Sequence, residues 1–180
     1  YGADVRTEKG TAEGNTLTIE AGRVTGNAYA GKTVDGAAKS NIVEIKGGDI
    51  SGAEIKGAEA GGNVEGSIVT ISASPTSSAA TAITGGHSRS GDATENVVNI
   101  NADIKGSIHA AKAQNTSKNN HVNIADGVTV DGSVFGGSCV TAEGNTVTIG
   151  RGGVVTGDVI AGNATGTNRD NIINITGARV

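Results

Sequence analysis

His87, His109 and His121, the single Cys139 and a thin scatter of carboxylates are the side chains of this 180-residue sequence best suited to carry chemistry. A zinc site would place His, Cys or carboxylate ligands at short fixed spacings, and the three histidines share none. Neither the Gly-Gly-x-Gly-x-Asp calcium string nor a loop of alternating Asp and Asn occurs, so calcium is not expected. Acid–base cleavage of a glycosidic bond needs two carboxylates about 5 Å or about 6.5–9.5 Å apart. Asp131 and Asp158 are the only pair that invites the question, with Glu44 isolated from both. Cys139 cannot form an intramolecular disulfide and reads as a small, partly buried residue. Glycine pairs such as Gly136-Gly137 lead into no helix, so they cradle no phosphate. With 14 Lys+Arg against 18 Asp+Glu, a net charge of −4 and no basic run, nucleic acid is not an expected partner. No catalytic residue, metal or cofactor is expected.

What must position these residues is a repeat. A five-residue pattern recurs as Asn15–Ile19, Asn41–Ile45, Ser67–Ile71, Asn96–Ile100, Asn120–Ile124, Asn145–Ile149 and Asn171–Ile175, near every 25 residues. A second short strand follows each one, as in Val24-Thr25-Gly26, Ile50-Ser51-Gly52, Ile104-Lys105-Gly106, Val130-Asp131-Gly132 and Val155-Thr156-Gly157. A third comes almost at once, as in Ala28-Tyr29-Ala30, Ile108-His109-Ala110 and Val134-Phe135-Gly136. Polar stretches such as 31–40 read as closing loops. Three aromatics, no Trp or Met and 30 glycines exclude an ordinary globular core and leave a thin β-rich object with many tight turns. The expected fold is all-β, a three-sided parallel β-solenoid of about 6.5–7 coils spanning 1–180, each strand pairing with its equivalent one coil on. Residues 72–82 break the pattern, with Ala79 at the second-strand position and Pro75 unable to donate to a ladder. They are expected to form an irregular insertion.

Strand alternation sets the faces. In the Asn-x-Val-x-Ile unit the first, third and fifth positions point inward, and the Asn column is predicted to stack as a hydrogen-bonded ladder. The second position places Ile42, Ile68 and Val97 on consecutive coils as an exposed apolar stripe. The third strand's outward column runs Tyr29, Lys56, Thr84, His109, Phe135, Ile160. Tyr29, His109, Phe135, Ile160, Ile42, Ile68 and Val97 are therefore the candidate partner-binding residues. Tyr29 and Phe135 fall four coils apart, about 19 Å at the spacing of paired strands, too far for one stacking site. Scattered surface residues are the expected arrangement of this column.

The Asn-x-Val-x-Ile strand followed by Gly-x-Val-x-Gly resembles the repeats of Gram-negative autotransporter passengers, most closely at Asn145–Ile149 with Val155–Gly162. That resemblance covers nearly the whole chain. It implies a right-handed β-helix exported to the bacterial cell surface or secreted, anchored to the outer membrane through regions not in this chain. It further implies a non-catalytic adhesin or stalk whose partner is a host-cell surface protein or glycan. The alternative is a β-helix enzyme acting on carbohydrate, a polysaccharide lyase or glycoside hydrolase. No apolar stretch is long enough to span a bilayer, so this segment is not expected to insert in a membrane. Tyr1-Gly2-Ala3 aligns with Tyr29-Ala30-Gly31, and Val180 with the inward second-strand position. The chain thus reads as a fragment of a longer array whose open ends self-associate end to end.

Overall fold

The computed structural model describes residues 3–5, 10–74 and 79–180. The described chain is a parallel β-solenoid. Three seven-stranded parallel sheets run its length, and each strand pairs with its counterpart one turn on. The Asn-x-Val-x-Ile units form one of them, from Thr16–Ile19 through Val97–Ile100 to Ile172–Ile175. Their register is unbroken, with Leu17 opposite Val43, Val43 opposite Val69, and so on to Val147 opposite Ile173. Six turns at about 4.8 Å make a rod of about 29 Å.

The third strands form a broad sheet of Ala3–Val5, Asn27–Thr33, Glu54–Ala60, Ala82–Ser88, Ile108–Lys112, Val134–Cys139 and Val159–Ala164. Ala3 pairs with Gly31, as the alignment of the first residues predicts, while Tyr1 and Gly2 lie outside the described residues. The expected closing loop is not a loop. Its first residues complete the broad strands, and its last form a narrow sheet that begins Ala12–Glu13, Ala38–Lys39, Val64–Glu65. Two-residue strands of small residues carry no visible period, which is why they read as polar connections. The expected second strand is the weak one. It pairs as a sheet only at Ile104–Lys105, Thr129–Asp131 and Val154–Val155, and lower down one bridge joins Arg23 to Asp49.

The interior has two lobes. The large one stacks Val43, Val69, Val98, Val122 and Val147 with Ile45, Ile71, Ile100, Ile124 and Ile149 against the inward face of the broad sheet. The small one holds Ala12, Ala38, Ala58, Ala60 and Val64. Between them the wall is pinched at the Asn column. A Cβ on Gly31 would come within 2.5 Å of the Asn41 side chain, and one on Gly86 within 2.5 Å of Asn96. Glycine is required there because two walls meet.

The predicted ladder is present. Asn96 Nδ2 donates to Asn120 Oδ1 (2.9 Å), Asn120 Nδ2 to Asn145 Oδ1 (2.8 Å), and Asn145 Nδ2 to Asn171 Oδ1 (2.9 Å). Each Oδ1 also accepts the backbone N–H of the Asn one turn before, as Asn120 does from Asn96 at 2.9 Å. Asn41, Asn96, Asn120 and Asn145 are fully buried, so these bonds satisfy groups that water cannot reach. A residue with positive φ precedes every rung: Gly14, Ser40, Gly66, Glu95, Asn119, Gly144 and Asp170. That left-handed corner turns the narrow strand into the next wall.

The predicted insertion is shorter than 72–82. Ala82 opens a broad strand, and Thr81 is fully buried, donating from Oγ1 to the Ile50 carbonyl at 2.9 Å and from its N–H to Lys105 O at 2.7 Å. Ala79 is exposed, so Thr81 rather than Ala79 rejoins the wall. Residues 75–78, Pro75 among them, lie outside the described residues.

Candidate functional site

The broad strands bend at the pinch, and the bend creates the candidate site on their outer side. Along Asn27–Thr33, Ala28 and Ala30 point into the large lobe, while Gly31 faces the Asn41 amide. Two consecutive inward positions leave Tyr29 and Lys32 on the outside, three residues apart yet converging across a concave wall. Lys32 Nζ lies 4.6 Å from the Tyr29 ring centroid, within cation–π range. The result is a shallow groove parallel to the rod axis. One bank carries the Tyr29, Lys56, Thr84, His109, Phe135, Ile160 column and the other the Lys32, Glu59, His87, Lys112, Ser138, Asn163 column.

The predicted outward column is thus real, but its lower half is not a set of scattered surface residues. Tyr29, Lys56 and Thr84 are only 2–5% exposed, because opposite-bank side chains close over them. His109, Phe135 and Ile160 are half-buried. His109 and Phe135, on adjacent rungs, stack with centroids 4.5 Å apart and planes 16° from parallel. Tyr29 and Phe135 remain four rungs apart, as expected. Ile42, Ile68 and Val97 do line up on successive rungs, half-exposed, but on the Asn-x-Val-x-Ile sheet rather than in the groove.

The lower groove is a saturated ion network centred on Glu59, which is 4% exposed. Lys56 and Arg89 bind its carboxylate directly, and Lys32 Nζ lies 3.6 Å away. His87 Nδ1 lies 3.5 Å from Oε2 without making a hydrogen bond. His87, with Lys56 and Arg89, outweighs burial and holds the Glu59 carboxyl well below the usual carboxylate range. Lys56 also reaches Glu54 at 3.0 Å. Burial works against its charge, but the bonds to Glu59 and Glu54 prevail and raise its pKa. The Tyr29 hydroxyl accepts from Asn27 Nδ2 (2.8 Å) and donates toward Glu54 (3.5 Å), and burial pushes its pKa up.

The upper groove is different. Lys112 forms no ion pair or hydrogen bond among the described residues. Burial, with repulsion from Lys56, pulls its pKa below the ordinary lysine value. Burial also drives His109 down to about 3, helped by Lys112 and His87, so its ring is neutral at physiological pH and stacks as an uncharged aromatic.

The sequence did not flag Lys32, Glu54, Glu59, Arg89 or Lys112, and it weighed His87 only as a metal ligand, not as a member of this groove. Strict alternation puts Tyr29 and Lys32 on opposite faces, and only the Gly31 bend brings them together. The available signal was the glycine or alanine pair, Ala30-Gly31, Gly85-Gly86, Ala110-Ala111, Gly136-Gly137, that marks the bend on successive turns.

The carboxylates weighed for sugar cleavage do not converge. Asp131 follows the Val130–Val155 pair and accepts from Thr156 Oγ1 at 2.8 Å, whereas Asp158 stands opposite Ser133, its backbone N–H donating to Ser133 Oγ at 3.1 Å. The two lie two residues out of register. Cys139 is half-buried, its Sγ–H donating to Thr141 O at 3.0 Å, and burial raises its pKa. Among the described residues no group of three or more His, Cys, Asp or Glu is placed to hold a metal ion, and no helix is long and apolar enough to cross a membrane. No family model, curated protein or solved structure matches the chain, so its reading rests on the groove and the wall themselves.

Proposed function

We propose that this chain is a non-catalytic β-solenoid module of a secreted or bacterial cell-surface protein, of the autotransporter-passenger kind, serving adhesion or acting as a stalk. The supporting observation is the contrast between a uniform in-register wall and one side-chain-rich groove whose buried carboxylate is neutralised. Glu59 is tied to Lys56 and Arg89 and held ionised, so it cannot deliver a proton at neutral pH. A stiff rod with one decorated face suits presentation and binding. Its partner would be a host-cell surface protein or glycan meeting the groove.

The decisive experiment combines binding to a glycan array and to host-cell surface extracts with a turnover screen on the same polysaccharides. Binding without turnover is expected. Cleavage that disappears in Asp131→Asn or Asp158→Asn would instead support the lyase or glycoside hydrolase reading.

A further inference from the structure

The two halves of the groove share a wall but differ in what they leave unpaired. Below, every charged side chain of the Glu59 network has a partner. Above, Lys112 stands without one on the rung of the His109 ring, with the stacked Phe135 one rung further up. Ser133, Ser138 and Asn163 flank them with short hydrogen-bonding side chains. Counting both banks from Asn27 to Asn163, with Arg89, gives four cations (Lys32, Lys56, Arg89, Lys112) against three carboxylates (Glu54, Glu59, Asp158). The difference is +1 on a chain whose net charge is −4. A net positive groove on an acidic protein selects an anionic partner.

The shape narrows that partner further. The groove crosses the strands, so a ligand lying in it meets successive rungs about 4.8 Å apart. Every broad strand from Asn27–Thr33 to Val134–Cys139 is paired on both sides, so no edge is available for an added peptide strand. The free cation is a lysine, a point charge matched to a single carboxylate. Arg89, whose planar fork would suit phosphate or sulfate, is engaged with Glu59. Beside it the stacked His109 and Phe135 rings turn their edges to the groove, a neutral, half-exposed apolar strip along which a sugar ring can pack.

We infer that the upper groove binds a polysaccharide of uronic acids, a sugar carboxylate pairing with Lys112 while the sugar ring lies against the His109–Phe135 stack. The inference rests on the reading of the chain as a non-catalytic binding module and names its ligand class. Ser133, Ser138 and Asn163 meet the sugar hydroxyls, and the lower network keeps Glu54 and Glu59 from repelling the polymer.

The test is calorimetric titration of the intact chain with polygalacturonate, its fully methyl-esterified form, and a sulfated polysaccharide lacking uronic acid. Binding to polygalacturonate is expected, weakened by added salt and absent for the ester. Lys112→Ala and Phe135→Ala should each weaken it about tenfold, the first because a charge-assisted contact is lost. Lys39→Ala, on the narrow sheet, should leave it unchanged. Lys112→Gln checks that charge matters rather than packing, and unchanged melting temperatures show that the variants fold. No binding of polygalacturonate, equal binding of the ester, preference for the sulfated polymer, or indifference to Lys112→Ala would each overturn the inference. Binding of some other surface molecule, untouched by Lys112→Ala, would sink it and leave the module reading intact. Depolymerisation of polygalacturonate would leave the ligand class standing and sink the non-catalytic reading.

Discussion

The lower and upper halves of the solenoid solve the same packing problem with different chemistry. Above Asn96 the inside of the pinch is an unbroken amide ladder, and Ile104–Lys105, Thr129–Asp131 and Val154–Val155 add a fourth sheet. Below it the ladder is interrupted at Ser67, whose Oγ makes no hydrogen bond, and the second-strand wall is reduced to the Arg23–Asp49 bridge. The same lower turns carry the buried ions around Glu59 on the outside. The upper half is ordered by repetition of one satisfied contact. The lower half depends on a single cluster in which every member needs the others. Repetition tolerates loss of one rung better than a cluster tolerates loss of its centre, and it leaves the outer groove free for a ligand.

The largest effect should come from the shared core. Val98 is fully buried between Val69 and Val122, so Val98→Asp places an uncompensated carboxylate in an aliphatic stack. A loss of about 4 kcal/mol or outright failure to fold is expected. Its neighbour Asn99 faces out and accepts from Asn123 Nδ2 at 3.0 Å, a bond that a carboxylate also accepts. Asn99→Asp should therefore change stability by less than about 0.5 kcal/mol. Equal shifts in chemical denaturation would mean that the faces are misassigned.

Glu59→Gln tests the cluster. Removing the carboxylate leaves Lys56 and Arg89 without their shared partner, at an expected cost of about 3 kcal/mol. The wild type should also be acid-sensitive in a way the variant is not. The Glu59 pKa is depressed on folding, so its contribution is fully present above the unfolded carboxyl value of about 4.3. It is lost progressively as pH falls toward the folded value. Denaturation midpoints from pH 6 down to pH 2 should converge for the two proteins, and a constant gap would contradict this account.

The wall was largely legible in the sequence because its repeat is long and its inward residues are β-branched. Asn41, Val43 and Ile45 recur with strand spacing, and nothing but a stacked wall uses that pattern. The narrow sheet was not legible, since Ala38–Lys39 is too short to show alternation. The groove failed for a subtler reason. Alternation is a rule about straight strands, and the Ala30-Gly31 bend spends two successive residues on the interior. The column from Tyr29 to Ile160 was found because it precedes the bend, and Lys32, Glu59 and Lys112 were missed because they follow it. The glycines read as tight turns, whereas Gly31 and Gly86 are there for closeness to Asn41 and Asn96.

The smallest effect is the most diagnostic of the ladder. On the intact rungs an Asn Oδ1 accepts both the backbone N–H and the Nδ2 of the preceding Asn, as Asn41 does from Asn15 at 3.2 and 2.8 Å. Ser67 ends before it can do the same for Asn41, and the residue facing it across the pinch is Ala58 rather than glycine. The two departures compensate, a shorter rung opposite a larger wall residue. Ser67→Asn alone gains two acceptor contacts but presses on the Ala58 methyl, though Ala111 opposite Asn120 shows that some relief is available. Ala58→Gly alone removes a buried methyl from the small lobe and frees the backbone, a loss of about 1 kcal/mol. Together they should restore the ladder and gain about 1 kcal/mol over the wild type, from two hydrogen bonds worth about 1 kcal/mol each less the alanine cost. The sign of the coupling carries the argument. In a double-mutant cycle by urea denaturation the pair should be more stable than the sum of the single changes by about 1 kcal/mol. Strict additivity would mean that Ala58 and Ser67 do not meet across the pinch, and the two-lobed interior would have to be redrawn.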